Sequence, residues 1–111
     1  MSGYYEADDL KKFGGIGKHA KQMADEFFKY YGHVTGTDGA LSKREKALIA
    51  LAVAHAQKCP YCIDAYTTQC LETGANPEQM MEAVHVAAVM LAGITLVHSV
   101  QMQNHLEKLV L

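Results

Sequence analysis

The chain has 111 residues and a formal net charge of −2, and no run of basic residues is longer than Lys43-Arg44, which argues against a nucleic-acid-binding surface. This length fits a single domain, residues 1–111, that buries roughly two thirds of its unfolded surface. The N-terminus lacks the basic and then apolar pattern of a secretion signal, and the longest nearly apolar run, 83–97, is too short to span a bilayer. We therefore expect a cytoplasmic protein with neither a nucleic-acid nor a membrane partner.

The N-terminal third of the chain contains two predicted helical segments. Residues 10–13 form a short predicted helix that ends in the flexible stretch 14–17, Gly-Gly-Ile-Gly. Apolar residues then recur at helical spacing over 20–31, and we expect this second helix to stop at Gly32. Residues 35–39, Thr-Gly-Thr-Asp-Gly, have the composition of a turn.

A long helix is predicted over residues 42–57. Ser42 opens this helix, and Glu45 three residues later completes a capping box, in which each side chain accepts a hydrogen bond from the other residue's backbone N–H. Residues 47–56 are apolar on every side except at His55. We therefore expect this part of the helix to be buried all round.

Two further helices follow a short turn. Pro60 marks the start of the first, which ends near Gly74. Residues 76–79, Asn-Pro-Glu-Gln, then give a start signal made of an N-cap asparagine, a first-position proline and a third-position amide. The last helix, 77–108, has Gly93 as its expected break or kink.

These elements predict an all-α fold of five to six helices. A thioredoxin fold, which a Cys-x-x-Cys motif otherwise suggests, needs strands, and we find no β-α-β alternation. The predicted helices 42–57 and 77–108 are more apolar than a monomer of this size can easily bury. The sequence therefore also predicts a homo-oligomer, whose subunits cover each other's helices.

Cys59 and Cys62 form a Cys-x-x-Cys pair at the predicted start of a helix. A spacing of three residues on a helical turn brings two sulfur atoms within bonding distance, so the pair can cycle between dithiol and disulfide. The helix N-terminus lowers the pKa of a cysteine in its first turn, and the thiolate is the reactive form. In the cytoplasm such pairs are more often catalytic or metal-binding than structural. The alternatives are half of a zinc site and two buried, inert cysteines.

The third cysteine, Cys70, lies two helical turns beyond Cys62, about 12 Å away. This distance is too long for a disulfide without unfolding of the helix, so we expect Cys70 to be a small buried apolar residue. Because Cys70 alone does not complete a zinc site, we expect neither a metal ion nor a cofactor.

Two residues near the pair are candidate proton carriers. His55 lies four residues before Cys59, and an imidazole could exchange a proton with a thiol or a leaving oxygen there. The alternative is a core histidine bonded to a backbone carbonyl. Tyr66 lies one turn after Cys62 on the same helical face, so its hydroxyl could reach the sulfur or a substrate. The alternative for Tyr66 is a packing role.

Three more residues are secondary candidates. Glu45 is explained by the capping box without any catalytic role. His85 and His98 interrupt apolar surfaces on either side of Gly93. Each could line a pocket, or each could be a histidine with satisfied hydrogen bonds in the core or in a subunit interface.

The stretch 41–66, from Leu-Ser-Lys-Arg-Glu to Cys-Pro-Tyr-Cys-Ile-Asp-Ala-Tyr, resembles the core of the carboxymuconolactone decarboxylase superfamily, and more narrowly its alkylhydroperoxidase D-like branch. The opening stretch from Tyr4-Tyr5 to Gly17 and the block 55–62 look like the peroxidase-like proteins associated with arsenosugar biosynthesis. The resemblance implies an all-helical trimer or hexamer that reduces small hydroperoxides and is itself reduced by an external dithiol. It implies Cys62 as the attacking thiol and Cys59 as the resolving one.

The chain departs from that branch at two positions. Ala47 stands where the family has a relay glutamate, and Tyr66 stands where it has a histidine. His55 lies on the same helical face as Ala47, two turns nearer the cysteines, which suggests a displaced relay through His55. Two other functions stay open: a dithiol that binds a thiophilic species such as trivalent arsenic, and a decarboxylase-type enzyme that does not need the cysteines.

Overall fold

The structure is a computed structural model that describes Tyr4 and residues 6–110, and within them all regular secondary structure is helical. A 3₁₀ segment, Asp9–His19, precedes five α-helices: α1 (Lys21–Gly36), α2 (Lys43–Ala56), α3 (Pro60–Glu72), α4 (Pro77–Val97) and α5 (Ser99–Val110). The prediction of an all-α fold is confirmed. Tyr5, part of the opening stretch that carries the narrower resemblance, lies outside the described residues, as do residues 1–3 and 111.

The N-terminal helix boundaries differ from the predicted ones. The stretch 14–17 does not end the first segment, because the 3₁₀ helix continues through its glycines to His19. Helix α1 likewise continues past Gly32 to Gly36. A glycine inside a helix costs about 1 kcal/mol relative to alanine, which packing elsewhere along a helix can outweigh. Here the packing is aromatic: the ring centroids of Phe13 and Phe28 lie 5.0 Å apart, edge to face.

The predicted helix starts are confirmed. Ser42 and Glu45 form the reciprocal capping box, with N–H to side-chain oxygen distances of 2.8 and 3.1 Å. Asn76 and Gln79 form a second capping box at the start of α4. Between α3 and α4, Gly74 has φ 94°, the left-handed conformation that glycine adopts without strain.

The core lies between α2, α3 and α4. Leu51 and Cys70 are its most completely buried side chains, and Ala47 and Ala75 pack with them. The expectation that Cys70 is a small buried apolar residue is confirmed. The expectation that α2 is buried all round is wrong for the single chain, because Ile49 and Val53 on its other face are each more than half exposed.

The last two helices extend away from this core. Among the described residues, α4 and α5 contain no buried side chain, although α4 is largely apolar. The break between them lies at His98 and not at the predicted Gly93. His98 donates its Nδ1–H to the Ile94 carbonyl oxygen, and the Ser99 hydroxyl donates to the Leu96 carbonyl oxygen. Such bonds compete with the backbone ladder and bend a helix.

The extended C-terminal helices give the chain an open shape. Its radius of gyration is 19.0 Å, whereas a compact chain of this length has about 13 Å. By length and composition, the helical stretch 77–110 is long and apolar enough to cross a membrane. The apolar run 83–97 alone, on which the sequence prediction was based, is too short to do so. Length and composition do not distinguish a membrane span from an apolar helix that packs against protein.

Candidate functional site

The turn between α2 and α3 fixes the position of Cys59. Lys58 has φ 54°, and the N–H groups of Lys58 and Cys59 donate to the carbonyl oxygens of His55 (3.2 Å) and Ala54 (2.9 Å). These two bonds form a Schellman motif that closes α2. The left-handed conformation costs a non-glycine residue about 1–2 kcal/mol, so local strain lies directly beside the cysteine pair.

Cys59 is also the N-cap of α3, and this brings the two sulfur atoms together. The Sγ atoms of Cys59 and Cys62 are 2.9 Å apart, within hydrogen-bonding distance of each other. The backbone N–H of Cys62 donates to the Cys59 sulfur as well, at 3.4 Å. Pro60 occupies the first helical position, where its missing N–H leaves no hydrogen bond unmade.

The two thiols differ in acidity. The thiol and backbone N–H of Cys62 lower the pKa of Cys59, because both donate to its sulfur. Burial raises the pKa of Cys62 to about 11, and the neighbouring Cys59 sulfur contributes to this rise. In the reduced protein Cys59 is therefore the more acidic of the two thiols, whereas the resemblance implies Cys62 as the attacking sulfur.

The pair opens on a cavity of about 460 Å³ whose lining is mostly apolar. This volume is typical of ligand pockets. Cys59, Cys62 and Tyr66 line one side, and Tyr31 of α1 joins them. The structure thus brings together three of the four main predicted site residues.

Tyr31 and Tyr66 share a hydrogen bond between their hydroxyl groups, although 35 residues separate them in the sequence. Burial raises the pKa of Tyr66, and the hydrogen bond to Tyr31 raises it further. Tyr66 therefore keeps its proton at neutral pH and can act as a hydrogen-bond donor or proton donor. Tyr31 was missed by the sequence analysis, because helical spacing relates it only to its neighbours on α1.

His55 does not line the cavity. It is half-buried near the end of α2, and it donates its Nδ1–H to the Leu51 carbonyl oxygen at 2.9 Å. This bond matches the alternative of a core histidine and leaves Nε2 as the acceptor nitrogen of the neutral ring. Its part in proton transfer stays a prediction.

The secondary candidates also lie outside the cavity. Glu45 is exposed in its capping box, and these hydrogen bonds lower its pKa. His85 and His98 are exposed on α4 and at its C-terminal end, so their predicted contribution through a subunit interface is not tested in a single chain. Among the described residues, no group of three or more His, Cys, Asp and Glu side chains is arranged to hold a metal ion.

Sequence comparison places these features in a family context. The model of the carboxymuconolactone decarboxylase family matches residues 21–103, which include α1 to α4 and the cysteine pair. The chain is also 47% identical over 85 residues, 77% of each sequence, to a Paracoccus denitrificans protein described as "Uncharacterized protein 4 in cox locus".

Proposed function

The chain belongs to the carboxymuconolactone decarboxylase family, and we propose that it is a thiol-dependent peroxidase that reduces hydroperoxides with Cys59 and Cys62. The observation that carries this proposal is the pair of sulfur atoms 2.9 Å apart on the wall of a cavity. An inert structural pair would not need an opening of ligand size. A hydroperoxide in the cavity would have direct access to both sulfurs.

The first chemical step follows from the different acidity of the two thiols. The Cys59 thiolate attacks the distal oxygen of the hydroperoxide, a sulfur–oxygen bond forms, and the oxygen–oxygen bond breaks. The departing alkoxide takes a proton from Tyr66, since an alkoxide is a stronger base than a phenolate. The products are a sulfenic acid on Cys59 and an alcohol.

The second step closes the disulfide. The Tyr66 phenolate recovers a proton from the Cys62 thiol, and the Cys62 thiolate then attacks the sulfenic sulfur and releases hydroxide, which solvent protonates to water. An external dithiol reduces the disulfide and returns both cysteines to the reduced state. The sequence prediction of a relay through His55 is the alternative source of the first proton.

The direct test is the stoichiometry of the reaction in one turnover. When the reduced protein is mixed with one equivalent of cumene hydroperoxide, we expect the free thiols to fall from three to one per chain, because the buried Cys70 does not react. One molecule of alcohol is expected per disulfide. Thiol titration and chromatography of the alcohol measure both quantities, and dithiothreitol then supports repeated turnover.

The alternative functions are tested by offering the reduced protein arsenite or a lactone beside the hydroperoxide. Tight, stoichiometric binding of arsenite without consumption of hydroperoxide would replace the peroxidase with an arsenic-binding dithiol. Activity on a lactone that survives replacement of both cysteines by serine would favour the decarboxylase type. Loss of thiols without formation of alcohol would also contradict a peroxidase.

We further propose that the protein works as a cytoplasmic homo-oligomer, a trimer or hexamer by family resemblance. The exposed apolar surface of α4 and α5 and the radius of gyration of 19.0 Å support self-association. Sedimentation velocity is expected to give a species of several chains for the wild type. Val89→Glu on α4 is expected to dissociate it, and Val34→Glu on α1 is the matched control. A wild-type monomer at micromolar concentration would contradict the proposal.

A further inference from the structure

The 3₁₀ segment Asp9–His19 forms the outer wall of the cavity. Leu10, Phe13 and Ile16 from this segment line the same cavity as the cysteine pair. All three precede residue 21, where the match to the family model begins. The shape of the cavity therefore depends on a part of the chain that the family match does not include.

Two kinds of contact hold the segment in place. The Phe13 ring meets the rings of Phe28 and Tyr31 edge to face, with centroids 5.0 and 6.2 Å apart. Gly17 lies so close to α1 that an added Cβ would be 2.8 Å from the Cβ of Ala24. Because this distance is shorter than real Cβ contacts, only glycine fits at this position without displacement of the segment.

The charged groups of the wall neutralise each other. Asp9 and Lys12 both line the cavity, and their side chains form an ion pair at 3.1 Å. The Asp9 carboxylate also accepts the backbone N–H of Glu6 at 3.0 Å. The wall thus offers no net charge to an ionic ligand, and most of its surface is aliphatic or aromatic.

We propose that the 3₁₀ segment is the specificity element of the site, and that it selects hydroperoxides carrying a bulky, uncharged organic group over hydrogen peroxide. This inference rests on the proposed peroxidase function. A water molecule takes on the order of 30 Å³, so hydrogen peroxide, of similar size, would leave most of a 460 Å³ cavity unfilled. An aryl or branched alkyl group would replace water against Leu10, Phe13 and Ile16.

The test compares kcat/KM for cumene hydroperoxide and for hydrogen peroxide, with dithiothreitol as reductant. Phe13→Ala and Ile16→Ala are each expected to lower the value for cumene hydroperoxide about 10-fold or more and to change the value for hydrogen peroxide less than about 3-fold. Tyr30→Ala, which removes an exposed aromatic ring of α1 that does not line the cavity, is the matched control. The inference would be overturned if the ratio of the two kcat/KM values, cumene hydroperoxide to hydrogen peroxide, were unchanged in Phe13→Ala and Ile16→Ala.

A second pair of variants tests the segment without changing a lining residue. Gly17→Ala is expected to displace the segment and lower the same ratio, and Gly17→Ala combined with Ala24→Gly removes the clash and is expected to restore it. Failure of Gly17→Ala to change the ratio in a folded protein would count against the segment as the specificity element.

Binding of 2-phenyl-2-propanol, which has the same organic group and no peroxide bond, separates the two proposals. Calorimetric binding that Phe13→Ala weakens, without turnover of any hydroperoxide, would remove the peroxidase function and keep the 3₁₀ segment as a selector of apolar ligands. Turnover of cumene hydroperoxide without such binding, and with an unchanged ratio of kcat/KM values in Phe13→Ala, would keep the peroxidase function and remove the 3₁₀ segment as its specificity element.

Discussion

Cys59→Ser and Cys62→Ser are each expected to lose steady-state reduction of hydroperoxide by at least about 10³-fold, and only Cys62→Ser is expected to keep a single reaction per chain. Both variants lose turnover because neither can form the disulfide that the external dithiol reduces. They differ in the remaining thiol. Cys62→Ser keeps the more acidic thiol, that of Cys59, so one equivalent of hydroperoxide should leave a sulfenic acid on Cys59 that dimedone traps and mass spectrometry detects.

In both variants the rate of thiol alkylation rises with pH, but the midpoints are shifted in opposite directions from that of a free cysteine. In Cys62→Ser the backbone N–H and the new hydroxyl still donate to the Cys59 sulfur, so the pKa of Cys59 stays below its ordinary value. Its alkylation by iodoacetamide is therefore expected to become fast at a lower pH than that of a free cysteine, and to slow as the pH falls through that lowered pKa. In Cys59→Ser, burial continues to hold the pKa of Cys62 above its ordinary value, so alkylation accelerates only in alkaline solution.

Cys70→Ala is the control for the loss of a thiol, since Cys70 is fully buried in the core and lines no part of the cavity. Its turnover should equal that of the wild type once folding is verified by circular dichroism. A dimedone adduct on Cys62 in Cys59→Ser, and none on Cys59 in Cys62→Ser, would instead establish the order of attack that the family resemblance implies.

Local signals in the sequence predicted the helices and the cysteine pair. Ser42 and Glu45 are three residues apart, and so are Cys59 and Cys62, so the interactions of each pair lie within one helical turn and follow from spacing alone. Cys70 was predicted correctly for the same reason, because its distance from Cys62 is fixed by the helix that contains both.

The other half of the site depends on tertiary packing that spacing does not encode. Tyr31 reaches Tyr66 only because α1 and the 3₁₀ segment fold over the start of α3, and no periodic pattern relates residues of α1 to residues of α3. Gly17 is a similar case. The sequence predicted that it belongs to a flexible stretch at the end of a helix, whereas its close approach to Ala24 leaves no room for a side chain. His55 shows the reverse case, since proximity to Cys59 in sequence does not place it in the cavity.

Tyr66→Phe is expected to lower kcat/KM for cumene hydroperoxide about 10²-fold, because it removes the proposed proton donor and keeps the ring that lines the cavity. Tyr31→Phe, which removes only the hydrogen-bond partner of Tyr66, should have a smaller effect, about 10-fold. His55→Ala should change the rate less than either variant across pH 5 to 8. Tyr30→Phe, an exposed neighbour on α1, is the matched control for loss of a hydroxyl group.

The leaving group distinguishes proton donation by Tyr66 from a structural effect. With peracetic acid the leaving group is acetate, which needs no proton at neutral pH because the pKa of a carboxylic acid lies well below 7. A defect that results from a missing proton should therefore be large with cumene hydroperoxide and small with peracetic acid. Equal defects with both substrates would mean that Tyr66 only packs against the cysteines, and a larger loss in His55→Ala than in Tyr66→Phe would assign the proton to His55. A displaced histidine relay and a tyrosine pair predict opposite rankings of these two variants, so one set of rates decides between them.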